Sequence, residues 1–160
     1  MKKYLVIGNP IEHSLSPKLH NYWFEKNNID ANYDRRKIDK SEIQEIVNEI
    51  KDNKLDGINV TVPFKTDVIP YLDTLSEEAK ITQSVNTIYM HDKKLVGHNT
   101  DIKGFELSLK DTQFDLNNKS IFILGAGGVV PSIIYALEKL SVSKISVSNR
   151  TKEKAEDLKK

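Results

Sequence analysis

The sequence predicts an α/β protein: a first unit built on a mainly parallel sheet, then the opening half of a second, doubly wound unit. Three observations predict it. Short β-rich runs alternate with helical patterns along the 160 residues, the order that builds layered α/β domains. A polar stretch at 111–119 separates two such series. The second series opens on a strand, a glycine-rich turn and a helix, the start of a doubly wound repeat.

Each element has a local signature. Tyr4-Leu5-Val6-Ile7-Gly8 is an apolar run closed by Asn9-Pro10, so a buried strand and a turn. Pro17 opens a helix through about Asn28, because proline is pre-organised for a first helical turn. Leu19, Tyr22 and Trp23 are expected to point from it into a core. Asn32–Ile38 reads as a more polar strand. Ser41 and Gln44 stand three apart, as in a capping box. Behind them Ile43, Ile46, Val47 and Ile50 recur at i, i+3, i+4 and i+7, an amphipathic helix. Gly57–Val62 is a third strand, ended by Pro63. Two short helices are expected at Thr66–Leu72 and Ser76–Ile81. Val85–Met90 and Leu95–His98, joined through residues 91–94, read as a hairpin. Asp101–Lys110 is helical, with Ile102, Phe105 and Leu109 on one face. These elements form an expected first domain, 1–110. The second, 119–160, holds a buried strand Ser120–Leu124, a helix Val129–Leu140, a strand Lys144–Ser148 and a helix from Thr151 to Lys160.

Composition limits the partners. A net charge of +1 provides no field for nucleic acid or anionic lipid. Hydrophobic residues make up 38% and charged residues 29%, a soluble globular balance. No apolar run approaches membrane-spanning length, and the run after Lys2-Lys3 is too short for a signal peptide. With no cysteine, disulfides, thiolate metal sites and cysteine nucleophiles are excluded, which suits a cytoplasmic protein. His13, His20, His91 and His98 show no metal-ligand spacing, so no metal is expected.

The glycine-rich turn carries the first chemical signal. Gly125-Ala126-Gly127-Gly128 lies between a strand and a helix, where the first glycine allows the tight turn and the second lets backbone approach a pyrophosphate. The helix N-terminus adds free N–H groups and partial positive charge. The third glycine of the usual fingerprint is replaced by Val130. A Rossmann-type fold that prefers NAD places an acid at the end of the next strand, to hold the ribose 2′-hydroxyl. Here Asn149-Arg150-Thr151 stands there, and Arg150 suits the 2′-phosphate of NADP. As a bland alternative, Arg150 is a surface arginine and Thr151 a helix cap.

Three polar clusters mark the first unit: Ser14-Leu15-Ser16-Pro17, Asn59-Val60-Thr61-Val62-Pro63-Phe64-Lys65, and Asn86-Thr87 with Asn99-Thr100-Asp101. The first two fall at carboxyl ends of predicted strands, where open α/β sheets bind ligands. Each residue also has a purely structural reading. Lys65 can be a solvated lysine, Asp101 a helix cap, and the serines loop residues before a proline-started helix.

Taken in order, these segments resemble the shikimate dehydrogenase family. The resemblance rests on Gly8-Asn9-Pro10, the Ser14–Pro17 and Asn59–Lys65 segments, Ser84-Val85-Asn86-Thr87, Asn99-Thr100-Asp101, Gly104, the glycine loop and Asn149-Arg150-Thr151, and it covers nearly the whole chain. It implies NADP-linked interconversion of 3-dehydroshikimate and shikimate, in aromatic amino-acid (chorismate) biosynthesis. Lys65 and Asp101 would form the catalytic pair. Ser14 and Ser16 would hold the substrate carboxylate, and Asn59, Thr61, Asn86 and Asp101 the ring hydroxyls, with Lys65 at the same site. Gly125, Ala126, Gly127, Gly128 and Val129 would approach the pyrophosphate, and Asn149, Arg150, Thr151 and Lys154 the adenosine phosphate. Reducing a ketone needs a proton for oxygen as hydride reaches carbon, which a lysine ammonium can supply.

Family members continue through a second nucleotide half and a returning C-terminal helix. The chain is therefore expected to be a fragment of a longer enzyme, a homodimer in its full-length form. The alternatives are a truncated, non-catalytic shikimate-binding module and a quinate/shikimate dehydrogenase using NAD. Arg150 and the Ser14/Ser16 pair argue against the last.

Overall fold

The computed structural model describes residues 1–159. The first sheet has six strands in the order β2-β1-β3-β5-β6-β4. In chain order its elements are β1 (Lys2–Gly8), α1 (Ser16–Lys26), β2 (Ala31–Lys37), α2 (Ile43–Lys51), β3 (Gly57–Val60), β4 (Thr74–Leu75), α3 (Glu77–Thr82), β5 (Thr87–His91), β6 (Lys94–His98) and α4 (Asp101–Asp111). Strand β1 runs parallel to both β2 and β3. Strand β5 then enters antiparallel to β3, β6 antiparallel to β5, and β4 parallel to β6. Parallel pairings are thus in the majority of a mixed sheet. The hairpin between β5 and β6 closes through Asp92-Lys93, both at positive φ. That two-residue turn matches the right-handed twist of the strands.

The apolar stripe of α2 organises the core. Ile43, Ile46, Val47 and Ile50 are all at most 2% exposed, against Leu5, Ile7, Ile58, Val60, Ile88 and Leu95. Burial of each such side chain contributes about 1.5–3 kcal/mol. The helix begins differently from the expected Ser41–Gln44 box. Asp39 and Glu42 form the reciprocal pair, with the Glu42 carboxylate accepting from the Asp39 N–H at 2.6 Å. Those two are also three apart, and an initial 3-10 turn at Lys40–Glu42 moves the cap two residues earlier.

Helix α1 corrects a second expectation. Leu19, Tyr22 and Trp23 are exposed; Ser16, Pro17, His20, Asn21 and Phe24 form the inward side. Polar Asn21 faces inward because its carboxamide clamps Tyr33 of β2, donating to its carbonyl at 2.7 Å and accepting from its N–H at 2.9 Å. Residues 66–72, expected as a helix, hold only a 3-10 turn at Ile69–Tyr71. Pro70 lies inside that turn and removes a backbone donor that a longer helix would use.

The second sheet pairs β7 (Ser120–Leu124) with β8 (Lys144–Ser148) in parallel. Helix α5 (Val130–Lys139) connects them, and α6 (Lys152–Glu156) follows β8. Strand β7 is not buried: Phe122 is 63% and Leu124 81% exposed. Among the described residues only two strands form this sheet, and α5 and α6 leave these two side chains uncovered. Helix α6 is short, passing into a 3-10 turn at Asp157–Lys159, and Lys160 of the expected final helix lies outside the described residues. Thr151 is the N-cap residue of α6, although its hydroxyl makes no capping bond.

Candidate active site

One edge of the six-stranded sheet gathers all three polar clusters. Strands β1 and β3 end there, so the Ser14–Pro17 and Asn59–Lys65 segments emerge side by side. Strand β5 is antiparallel to β3, so its beginning, with Asn86-Thr87, reaches the same edge. Strand β6 reverses again and delivers Asn99-Thr100-Asp101 at its end. Gly8 permits the close approach of β1 and β3. A Cβ there would sit 2.6 Å from the Thr61 methyl and 3.0 Å from the Val62 carbonyl oxygen.

The resulting cleft has a volume of about 380 Å³ and is lined by Ser16, Asn59, Thr61, Lys65, Asn86 and Asp101, with His20, Thr87 and Thr100 beside them. Ser14 lines an adjoining depression that shares Ser16 and Thr61 with the cleft. Its hydroxyl accepts from the Ser16 N–H at 3.3 Å, and the Arg35 guanidinium reaches its carbonyl at 3.4 Å. Every residue expected at a substrate site therefore borders this cleft or the depression beside it.

Lys65 and Asp101 meet at 2.5 Å, Nζ to Oδ2, with their side chains 11% and 23% exposed. The other carboxylate oxygen accepts from Asn86 Nδ2 at 2.9 Å. Asn86 is held in turn, its Oδ1 accepting from the Thr100 N–H at 3.0 Å and the Thr87 hydroxyl at 2.9 Å. The pair is thus a fixed ammonium and carboxylate at a cleft wall, where desolvation strengthens any hydrogen bond to a bound oxygen.

The glycine loop lies across a buried polar junction from this pair. The two hydrogens of the Asn99 carboxamide go to the Ser84 carbonyl at 2.9 Å and the Ser132 hydroxyl at 2.8 Å, with the Thr82 hydroxyl 3.2 Å from the same nitrogen. Its oxygen accepts from the Asp101 N–H at 3.0 Å. The Ser84 hydroxyl donates to the Gly128 carbonyl at 3.2 Å. Nothing local in the sequence marks Asn99, Ser84 and Ser132 as a group, because their partners are distant along the chain. His20, Thr87 and Thr100 also received no role from the sequence, although both threonines belong to the motifs it singles out.

The loop itself suits a nucleotide diphosphate. Gly125 adopts φ +105°, a conformation that L side chains rarely adopt, while a Cβ at Gly127 or Gly128 would meet nothing within 4 Å. The backbone there faces open space at the start of the ten-residue α5, where free N–H groups favour an anion. Asn149 ties the loop to the end of β8, accepting from the Ala126 N–H at 3.2 Å and donating to the Thr151 carbonyl at 2.8 Å. Val129 is the N-cap residue of α5. Arg150, directly after β8, and Lys154, in α6, are both exposed cations.

Comparison with known proteins gives two family matches: the shikimate dehydrogenase substrate binding domain over residues 6–88 and shikimate/quinate 5-dehydrogenase over residues 106–160. The chain is 58% identical over 159 residues to the NADP(+) shikimate dehydrogenase of Pelagibacter ubique, covering 99% of this chain and 60% of that protein. It resembles the crystal structure of Aquifex aeolicus shikimate dehydrogenase with a TM-score of 0.92 at 42% identity, covering 99% of this chain and 59% of that one. The Thermus thermophilus shikimate 5-dehydrogenase in complex with NADP(H) and shikimate matches with a TM-score of 0.89 at 31% identity, with the same coverage of 99% and 59%. The chain spans about three fifths of the length of these relatives.

Proposed function

This chain belongs to the shikimate dehydrogenase family, and from that premise we propose that it carries the substrate site and the first nucleotide half of an NADP-dependent enzyme interconverting 3-dehydroshikimate and shikimate. The observation that carries the reading is the Lys65–Asp101 pair, 2.5 Å apart in a cleft bordered by Ser16, Asn59, Thr61 and Asn86. A fixed ammonium beside acceptors and hydroxyls fits an acid with several ring hydroxyls and one reacting oxygen.

In the reducing direction Lys65 donates to the carbonyl oxygen and gives it a proton as charge develops there. In the oxidising direction neutral Lys65 takes the hydroxyl proton. Asp101 holds the Lys65 nitrogen through Oδ2 and is kept from rotating by Asn86 at Oδ1. Ser14 and Ser16 hold the substrate carboxylate with their hydroxyls, which sets the ring's direction in the cleft. NADP, when bound, supplies or takes the hydride at carbon. The residues that would hold it are Gly125, Ala126, Gly127, Gly128 and Val129 at the diphosphate, and Asn149, Arg150, Thr151 and Lys154 at the adenosine end. Among the described residues no helix is long and apolar enough to cross a membrane; the proposed compartment is the cytoplasm, which a chain without cysteine suits.

The test is shikimate-dependent reduction of NADP, followed by absorbance, on this chain and on a chimera extended by the remaining length of the Pelagibacter relative. Turnover in the chimera that disappears in Lys65→Ala supports the proposal. A folded chimera with no turnover overturns it, and turnover with quinate and NAD instead would reassign both substrate and cofactor.

A further inference from the structure

Behind the cleft, one phenol joins the lining residues into a directional chain. Tyr33 of the edge strand β2 is only 4% exposed. Its hydroxyl donates to Asn59 Oδ1 at 2.6 Å. Asn59 Nδ2 donates to the Thr87 hydroxyl at 3.0 Å, Thr87 donates to Asn86 Oδ1 at 2.9 Å, and Asn86 Nδ2 donates to Asp101 Oδ1 at 2.9 Å. Every link points the same way, from the phenol to the carboxylate that holds Lys65. Such chains polarise and order their members.

The ring of Tyr33 is fixed on several sides. The His20 imidazole stacks on it, with centroids 4.2 Å apart and planes 7° apart. The Asn21 carboxamide clamps its backbone. Burial pushes the phenol's pKa upward, so it stays a neutral donor across the working pH range.

The consequence falls on Asn59. Both amide hydrogens are committed, to Thr87 and to the Asn86 carbonyl at 3.1 Å. Only Oδ1 remains, with one lone pair taken by Tyr33 and one left over. Asn59 can therefore offer a ligand an acceptor and nothing else, which suits a ring hydroxyl that donates.

We propose that Tyr33 is a positioning residue for the ring-hydroxyl subsite, fixing the Asn59 carboxamide so that a single acceptor faces the cleft. This rests on the shikimate-binding reading above. The replacement that isolates it is Tyr33→Phe, which removes one oxygen and keeps the stacked ring.

The experiment titrates the isotope-labelled 160-residue chain and its Tyr33→Phe variant with shikimate and with 1-cyclohexene-1-carboxylate, a ring acid without hydroxyls, following amide shifts by NMR. The expected result is a Kd for shikimate raised about tenfold in the variant, the size of one ordered hydrogen bond, with the Kd for the hydroxyl-free acid unchanged. Equal weakening of both acids would mean that Tyr33 supports the fold in general, and it overturns the proposal. So does an unchanged shikimate Kd. If the parent chain binds the hydroxyl-free acid but gains nothing from shikimate's hydroxyls, the ring subsite and this inference both fall. Binding of neither acid overturns the functional reading together with the inference.

Discussion

The carboxamide of Asn99 donates to the hydroxyl of Ser132 at 2.8 Å, and the two residues are 2% and 0% exposed. This bond crosses from the end of β6 to the first turns of α5, tying the backbone of Asp101 to the helix that follows the glycine loop. The orientation of the amide is fixed by groups with no choice of role: the Asp101 N–H can only donate and the Ser84 carbonyl can only accept. Asn99→Asp would turn an acceptor toward that carbonyl at full burial. It should cost about 2–3 kcal/mol, against about 1 kcal/mol for Ser132→Ala. Urea unfolding of both variants checks the order; equal, small losses would show that the junction is wetter than it looks.

Lys65→Ala should lower turnover of the extended enzyme by about 100-fold or more, the range for loss of a proton donor. Shikimate affinity should change much less, because Ser16, Asn59, Thr61 and Asn86 remain. Rapid-mixing kinetics with a parallel binding titration separates the two. Asp101→Asn should reduce turnover in the same direction while leaving Lys65 in place.

Arg150→Ala should weaken adenosine 2′,5′-bisphosphate by about 10- to 100-fold, the value of a charge-assisted bond to phosphate. It should leave 5′-AMP unaffected, since that nucleotide lacks the 2′-phosphate. Calorimetric titration of this chain with both nucleotides reads the difference directly, and equal losses for both would move the 2′-phosphate contact to another cation, Lys152 or Lys154 of the segment that follows.

The sequence made some of this structure legible and hid the rest for physical reasons. The stripe Ile43, Ile46, Val47, Ile50 was readable because burial and helical period coincide there. Helix α1 misled because apolar residues are not always inward: Leu19, Tyr22 and Trp23 face out, while Asn21 faces in to satisfy the backbone of Tyr33. The clusters at the ends of β1 and β3 could be placed together from a parallel sheet. The third cluster reaches the same edge only through two antiparallel reversals, which periodicity does not reveal. Tyr33 had no local signal, and the polar cluster containing Asn99 gave no hint of its buried junction, since their defining partners lie 26 and 33 residues away.

His20 makes stability depend on pH in a definite direction. Burial lowers its pKa from the ordinary 6.5, so the unfolded chain binds a proton more readily than the folded one. The stability this represents is fully present above pH 6.5 and declines as pH falls from there through the folded-state value. Between pH 7 and 5 the melting temperature should therefore fall, and His20→Phe, which keeps a ring to stack on Tyr33, should flatten that limb. A variant whose limb stays parallel to that of the parent would assign the acid sensitivity elsewhere.

Gly8 connects stability to the site most directly. An alanine methyl would meet the Thr61 methyl at 2.6 Å and the Val62 carbonyl oxygen at 3.0 Å. The second of these is backbone, and it accepts from the Asn9 N–H at 3.0 Å, while the Thr61 N–H is bonded to the Ile7 carbonyl at 2.9 Å. Neither neighbour can yield without separating the ends of β1 and β3, the same ends that carry Thr61 into the cleft. Gly8→Ala should cost about 1–3 kcal/mol, as overpacking does, and should weaken shikimate binding at the same time. Gly104 is the control. It lies in α4, where an alanine methyl would meet nothing within 4 Å, so Gly104→Ala should stabilise by about 0.5–1 kcal/mol. Urea unfolding and shikimate titration of both variants decide the point: a Gly8→Ala chain that loses stability but binds as before would show that the strand ends move without carrying the site with them.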